Sequence, residues 1–215
     1  GIYLEDITNN SIVKVNNIET GNSTGTRNSG GIALKSTTNK AEINAGNITG
    51  ISARRTGLYA ESTSAMSINN SGIIDMQGND SRGIYTKGTG IKTIVNTGTV
   101  KTGNSSDVSK PGTGIYSDNA GDIITNNGTV ETGVSSVGMY SKSGTVNQNG
   151  QIKAGSNGTG IYADGAAVNL AAGSVLETGT GNGVGVYALN GAAVVNNGTT
   201  ITGNESYGNA LKSGA

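Results

Sequence analysis

The side chains that most often carry out catalysis are missing from this chain. Its 215 residues include no histidine and no cysteine. That removes the commonest general base, the commonest transition-metal ligand, every thiolate nucleophile and any disulfide. Fourteen Asp and Glu, fourteen Lys and Arg, and eight tyrosines remain, with no phenylalanine or tryptophan. Paired carboxylates could cleave a glycosidic bond, or hold calcium beside a basic residue as polysaccharide lyases do. Both chemistries need clustered acids, and these are scattered. When the repeats are aligned, Asp75 meets Lys101 rather than an acid, and Glu131 falls between Lys101 and Lys153. DNAGD sets two acids, Asp118 and Asp122, close together. No phosphate-binding glycine loop with its lysine occurs, nor any nonapeptide calcium repeat. The reading is a non-enzyme with no metal and no cofactor. Balanced charge argues against nucleic acid as a partner, and no apolar run reaches the ~18 residues of a membrane helix.

Two residue types have a pattern that could bind something. Seven of the eight tyrosines follow a glycine and one apolar residue, in triplets starting at Gly1, Gly57, Gly83, Gly114, Gly138, Gly160 and Gly185. GIALK from Gly31 and GNALK from Gly208 are copies with alanine for tyrosine. All four arginines, Arg27, Arg54, Arg55 and Arg82, lie in the irregular stretches that precede a triplet, and Lys110 lies in another.

What positions them is a repeat. The nine triplet starts are separated by 30, 26, 26, 31, 24, 22, 25 and 23 residues. Inside most intervals sits a second motif, such as NAGNITG from Asn44, NTGTVKTG from Asn96, NNGTVETG from Asn126 and NNGTTITG from Asn196. A third apolar stretch lies between, as in TIVN, DIIT, GTVN and AVVN. Each unit therefore holds three runs of about four residues, rich in β-branched side chains and punctuated by Gly, Asn, Ser and Asp. None is long enough for a helix. This is the signature of a parallel β-solenoid. The predicted fold is all-β: a right-handed parallel β-helix with three short strands per coil and about eight coils. At ~4.8 Å per stacked strand it is a rod of roughly 40 Å. Residues 1–215 form a single segment that begins inside a repeat, as expected for a fragment of a longer chain.

Alternation along the first strand turns the residue after glycine inward, the tyrosine outward and the next, small residue inward. Tyr59, Tyr85, Tyr116, Tyr140, Tyr162 and Tyr187 then make an outward ladder, either a stiffening stack or an aromatic platform for sugars. The opposite facing, tyrosine inward, stays open at this level. The asparagines Asn44, Asn70, Asn96, Asn126 and Asn196 are expected to share one corner column as an amide ladder. The irregular corners should gather Arg27, Arg54, Arg55, Arg82 and Lys110 into a basic, anion-preferring strip.

The GIYA/GIYS triplets with NNGTVETG resemble passenger repeats of type V autotransporters, most of all the very large outer-membrane adhesins of fusobacteria. The resemblance runs over the whole chain, but its motif specifies scaffold rather than ligand. It implies a monomeric rod displayed at the cell surface, held in the outer membrane by a C-terminal β-barrel outside this sequence. It also implies attachment to host cells or other bacteria through surface glycans or receptor proteins. Two alternatives remain: a spacer that binds nothing, and a carbohydrate-active β-helix enzyme.

Overall fold

A computed structural model describes residues 1–5, 11–20, 30–36, 41–107, 109 and 111–212. The described residues contain strands and turns and no helix. All strand pairs are parallel, and each joins a strand to its counterpart one turn along the chain. The first strands stack into one nine-stranded sheet; the second and third strands form a fourteen-stranded sheet. This is the parallel β-solenoid that the repeat predicts.

A representative turn has its first strand at Thr113–Ser117, its second at Ile123–Asn126 and its third at Thr129–Thr132. The first two turns differ. There the second and third strands run on as single ten-residue strands, Ser11–Thr20 and Ala41–Gly50. The continuous Ala41–Gly50 strand is what links the two stacks into one fourteen-stranded sheet.

The core is three columns of branched aliphatic side chains, one from each strand. The first strands supply Ile32, Leu58, Ile84, Ile115, Met139, Ile161 and Val186, all fully buried. The second strands supply Ile43, Ile68, Ile94, Ile124, Val146 and Val168, and the third Ile48, Ile74, Val100, Val130, Ile152 and Leu176. Burying each such side chain contributes about 1.5–3 kcal/mol, which is how a chain only 33% hydrophobic still builds a core.

The triplet glycine belongs to this core by necessity. Strand alternation breaks at it: the glycine and the aliphatic residue after it both face inward, because the chain is turning from the third strand into the first. A Cβ on Gly57 would stand 2.5 Å from Ile74 Cγ2 and 2.8 Å from the Gly83 carbonyl oxygen. On Gly160 it would stand 2.7 Å from Leu176 Cδ2 and 2.6 Å from the Gly185 oxygen.

The amide ladder forms with a different membership. Asn70 donates to Asn96 at 2.7 Å, Asn96 to Asn126 at 2.7 Å, and Asn126 to Gln148 at 2.9 Å, all of them buried. Asn44 is not part of it. It pairs in register with Asn69, one position off, and Ala45 takes the ladder position. Leu170 follows Gln148 in the column, and Asn196 beyond it is exposed. From ladder position to inward aliphatic there are three steps in Ala45–Ile48 but four in Asn70–Ile74, so aligning Asn44 with Asn70 hides the true register.

Candidate functional site

The outer face of the first-strand sheet gathers most of the chain's aromatic residues. In each strand the residue after the buried aliphatic points out, and the next points back into the core. Tyr59, Tyr85, Tyr116, Tyr140, Tyr162 and Tyr187 are paired in register, half-buried only by one another and their neighbours. The tyrosines therefore face outward. Ring centroids are 4.5–5.4 Å apart along the ladder. The geometry is not uniform. Tyr116 and Tyr140 stack with 12° between planes, while Tyr85 meets Tyr59 and Tyr116 edge-on at 67° and 86°. Such pairs each contribute about 0.5–1.5 kcal/mol.

A charged column runs beside the tyrosines, two residues downstream of the tyrosine position, as far as Asp164; Leu189 then ends it. Its members in order are Glu5, Lys35, Glu61, Lys87, Asp118, Lys142 and Asp164, with sign alternating at every turn. Lys35–Glu5 at 3.3 Å, Lys87–Glu61 at 3.4 Å and Lys142–Asp118 at 3.6 Å are ion pairs within it. Sequence reading missed this column, although the signal is plain once the triplets are aligned as GLYAE, GIYTK, GIYSD, GMYSK and GIYAD. A second alternating column, Asp75, Lys101, Glu131, Lys153 and Glu177, lies on the third strands, and the expected stacking of Glu131 between Lys101 and Lys153 is part of it. Lys101 and Glu131 meet at 2.9 Å.

The tyrosine hydroxyls use the same carboxylates. Tyr59 donates to Glu61, and Tyr140 to Asp164 at 3.3 Å. Burial and the Glu61 carboxylate push the Tyr59 phenol above its ordinary pKa; burial with nearby anionic groups does the same at Tyr140. Burial also raises Tyr116 and Tyr162. At Glu61 burial pulls the other way, but the Tyr59 hydroxyl and Lys87 hold the carboxyl below its usual value.

The described residues of the expected basic strip do not gather. Arg27 and Lys110 lie outside the described residues. Arg54 is exposed, sits at a left-handed φ of 58° in a stacked corner turn, and approaches Asp80 at 3.8 Å. Arg55, next to it, is buried. Arg82 opens a first strand and joins the tyrosine face instead. Its guanidinium lies 4.7 Å from the Tyr85 ring centre and 4.5 Å from that of Tyr116. Three neighbours in the alignment thus take three settings, because a corner of changing length does not keep register as a strand does. The long corner before Thr113 is pinned by Asp80, which accepts from the Ser106 N–H at 2.6 Å and the Asp107 N–H at 3.1 Å.

Asp118 and Asp122 also part company. Asp118 pairs with Lys142 on the tyrosine face, whereas Asp122 is fully buried in the core. Among the described residues no three acids gather where one metal ion could be held, and no helix is long and apolar enough to cross a membrane.

Fold and face together define an elongated repeat protein, a parallel β-solenoid rod that carries a tyrosine ladder flanked by alternating charge. Compared with protein-family models, curated proteins and solved structures, the chain finds no match.

Proposed function

We propose that this chain is a segment of a surface-displayed adhesin, a rod that attaches its cell to host cells or other bacteria. The rod shape is suited to that task, and the likeness of its repeats to type V autotransporter passengers supports it. On this reading the rod is held in the outer membrane by a β-barrel encoded elsewhere in the parent chain, and it acts on no substrate. Its receptor is a surface glycan or a receptor protein.

The observation that carries the reading is the tyrosine face. Six half-buried rings, one arginine and a row of alternating charges form a flat surface of amphipathic side chains. Tyr and Arg are the residues that most often dominate binding energy at interfaces, and tyrosine gives contact area at little cost in conformational freedom.

The test is a glycan and receptor-protein screen of the purified segment, followed by attachment of segment-coated beads to cells. Arg82→Ser with Tyr116→Ala should weaken attachment by tenfold or more, about 1.4 kcal/mol at least. Charge reversal at Arg54 should change it little. Unchanged attachment after the first substitution overturns the reading in favour of a spacer. One observation favours that second reading: the rings are already occupied by contacts with one another, and Arg82 covers two of them. Release of reducing sugar from an acidic polysaccharide would instead establish an enzyme.

A further inference from the structure

Besides the amide ladder, the interior holds a charged node, and nothing on the tyrosine face uses it. Where each second strand begins, an inward position is occupied by Met66, then Lys92, then Asp122, and later by Ala166 and Ala192. Lys92 and Asp122 are both fully buried. The Lys92 ammonium donates to the Ser62 carbonyl at 3.0 Å and the Gly90 carbonyl at 2.6 Å. Asn119, only 6% exposed, donates its carboxamide nitrogen to the same Gly90 oxygen at 3.0 Å and to Asp122 Oδ1 at 2.7 Å. Asp122 is fixed from three further sides, by the Lys92 N–H at 2.8 Å and the hydroxyls of Thr86 at 2.9 Å and Ser117 at 2.7 Å. An amine, a carboxamide and a carboxylate therefore share one dry corner, with a single carbonyl oxygen bonded to both nitrogens.

The node is not a direct ion pair: the Lys92 ammonium rests on two carbonyls, and Asp122 on N–H and O–H donors. Met66 precedes it in the column and Gly144 follows, with Ala166 beyond, so the fold does not need charge there, and burying two charges costs several kcal/mol per ion. The arrangement suits a reaction instead. We propose that Lys92 and Asn119 join in an intramolecular isopeptide bond, with Asp122 as the catalytic carboxylate.

The Lys92 ammonium, held on the Ser62 and Gly90 carbonyls, turns to Asp122, which takes a proton from it and frees the amine. The Nζ lone pair attacks the Asn119 carboxamide carbon, and the bond from that carbon to Nδ2 breaks. Asp122 passes its proton to the departing nitrogen, which also takes the second proton shed by Nζ and leaves as ammonium. No oxidant, metal or cofactor is required. Burial helps, since it lowers the Lys92 pKa against the opposing pull of the Asp122 and Glu61 carboxylates and so favours the nucleophilic amine. Fixed neighbours within the fold replace the bimolecular encounter. The product is a covalent tie between successive turns, closing a loop of a full turn in a chain with no cysteine to do the same by disulfide.

Mass spectrometry of the intact folded chain tests this. The expected mass is about 17 Da below that of the sequence, the loss of one ammonia. Trypsin, which cuts after Lys101, should release a branched peptide joining Lys92 to Asn119. Lys92→Met, which copies Met66 from the same column, and Asp122→Asn should both give the full mass. Wild-type chain at full mass, with Lys92 and Asn119 on separate unmodified peptides, overturns the proposal. Equal loss of ammonia from Asp122→Asn overturns the role of Asp122.

Discussion

Gly160 stands between Thr159, at the start of a first strand, and Ile161, fully buried in the core. Its φ is not in the left-handed region, so glycine is needed there for space alone. Gly160→Ala would drive a methyl group into Leu176 and the Gly185 carbonyl, and should cost about 1–3 kcal/mol as an overpacked core does. Gly208 holds the equivalent position in the last first strand, and there a Cβ would meet nothing nearer than Thr200 Cγ2 at 3.9 Å. Gly208→Ala should be neutral within about 0.5 kcal/mol. Urea midpoints of the two variants measure this, and equal losses would sink the crowding argument. The same residue scale shows why the tyrosine orientation stayed open in the sequence. Strict alternation would put the glycine and the tyrosine on one side, and only the turn at the glycine resets the phase.

Whole strands were legible in the sequence because period and register survive stacking. The glycine triplets found the first strands, and the three-run unit found the solenoid. Corners were not legible, since their length changes from turn to turn: Arg54, Arg55 and Arg82 look like one strip when aligned and point three ways when folded. The Lys92 node lay between these extremes. In KTIVN, Lys92 shares a face with Ile94 and Asn96, so period two already marked it as inward. The amide ladder shows what one element can lose or gain. Two buried ladder atoms lack partners, Asn70 Oδ1 and Gln148 Nε2, and they are its two ends, against Ala45 and Leu170. Ala45→Asn should extend the ladder, satisfy Asn70 and raise stability by about 1 kcal/mol. Asn96→Ala should orphan Asn126 Oδ1 and cost about 1–3 kcal/mol. Thermal unfolding of both variants decides it, and a destabilised Ala45→Asn would count against a ladder limited by its ends.

At the scale of the molecule, each turn touches mainly its two neighbours, so the rod's stability is a sum of repeated interfaces. Groups whose folded pKa is shifted then set the response of the rod to pH. On the acid side, Asp80 is held low: burial opposes, but the Ser106 hydroxyl, the N–H groups of Ser106 and Asp107, and Arg54 together outweigh it. A depressed folded pKa gives stability that is present above the ordinary carboxylate range and lost as pH falls through the folded value. The tyrosines act in the opposite sense and in greater number. Tyr59, Tyr116, Tyr140 and Tyr162 all have phenol pKa values raised by burial within the ladder. The folded chain keeps these protons where an unfolded one, with phenols near ~10, gives them up. Their contribution is therefore complete below about pH 10 and lost as pH rises beyond it. The urea midpoint should stay level from about pH 7 to 9 and then fall steeply. Ionisation of the four phenols, followed by tyrosinate absorbance, should coincide with loss of the β-sheet circular dichroism signal. If the phenols ionise near pH ~10 while the sheet signal persists, the ladder does not shield these phenols as its burial implies.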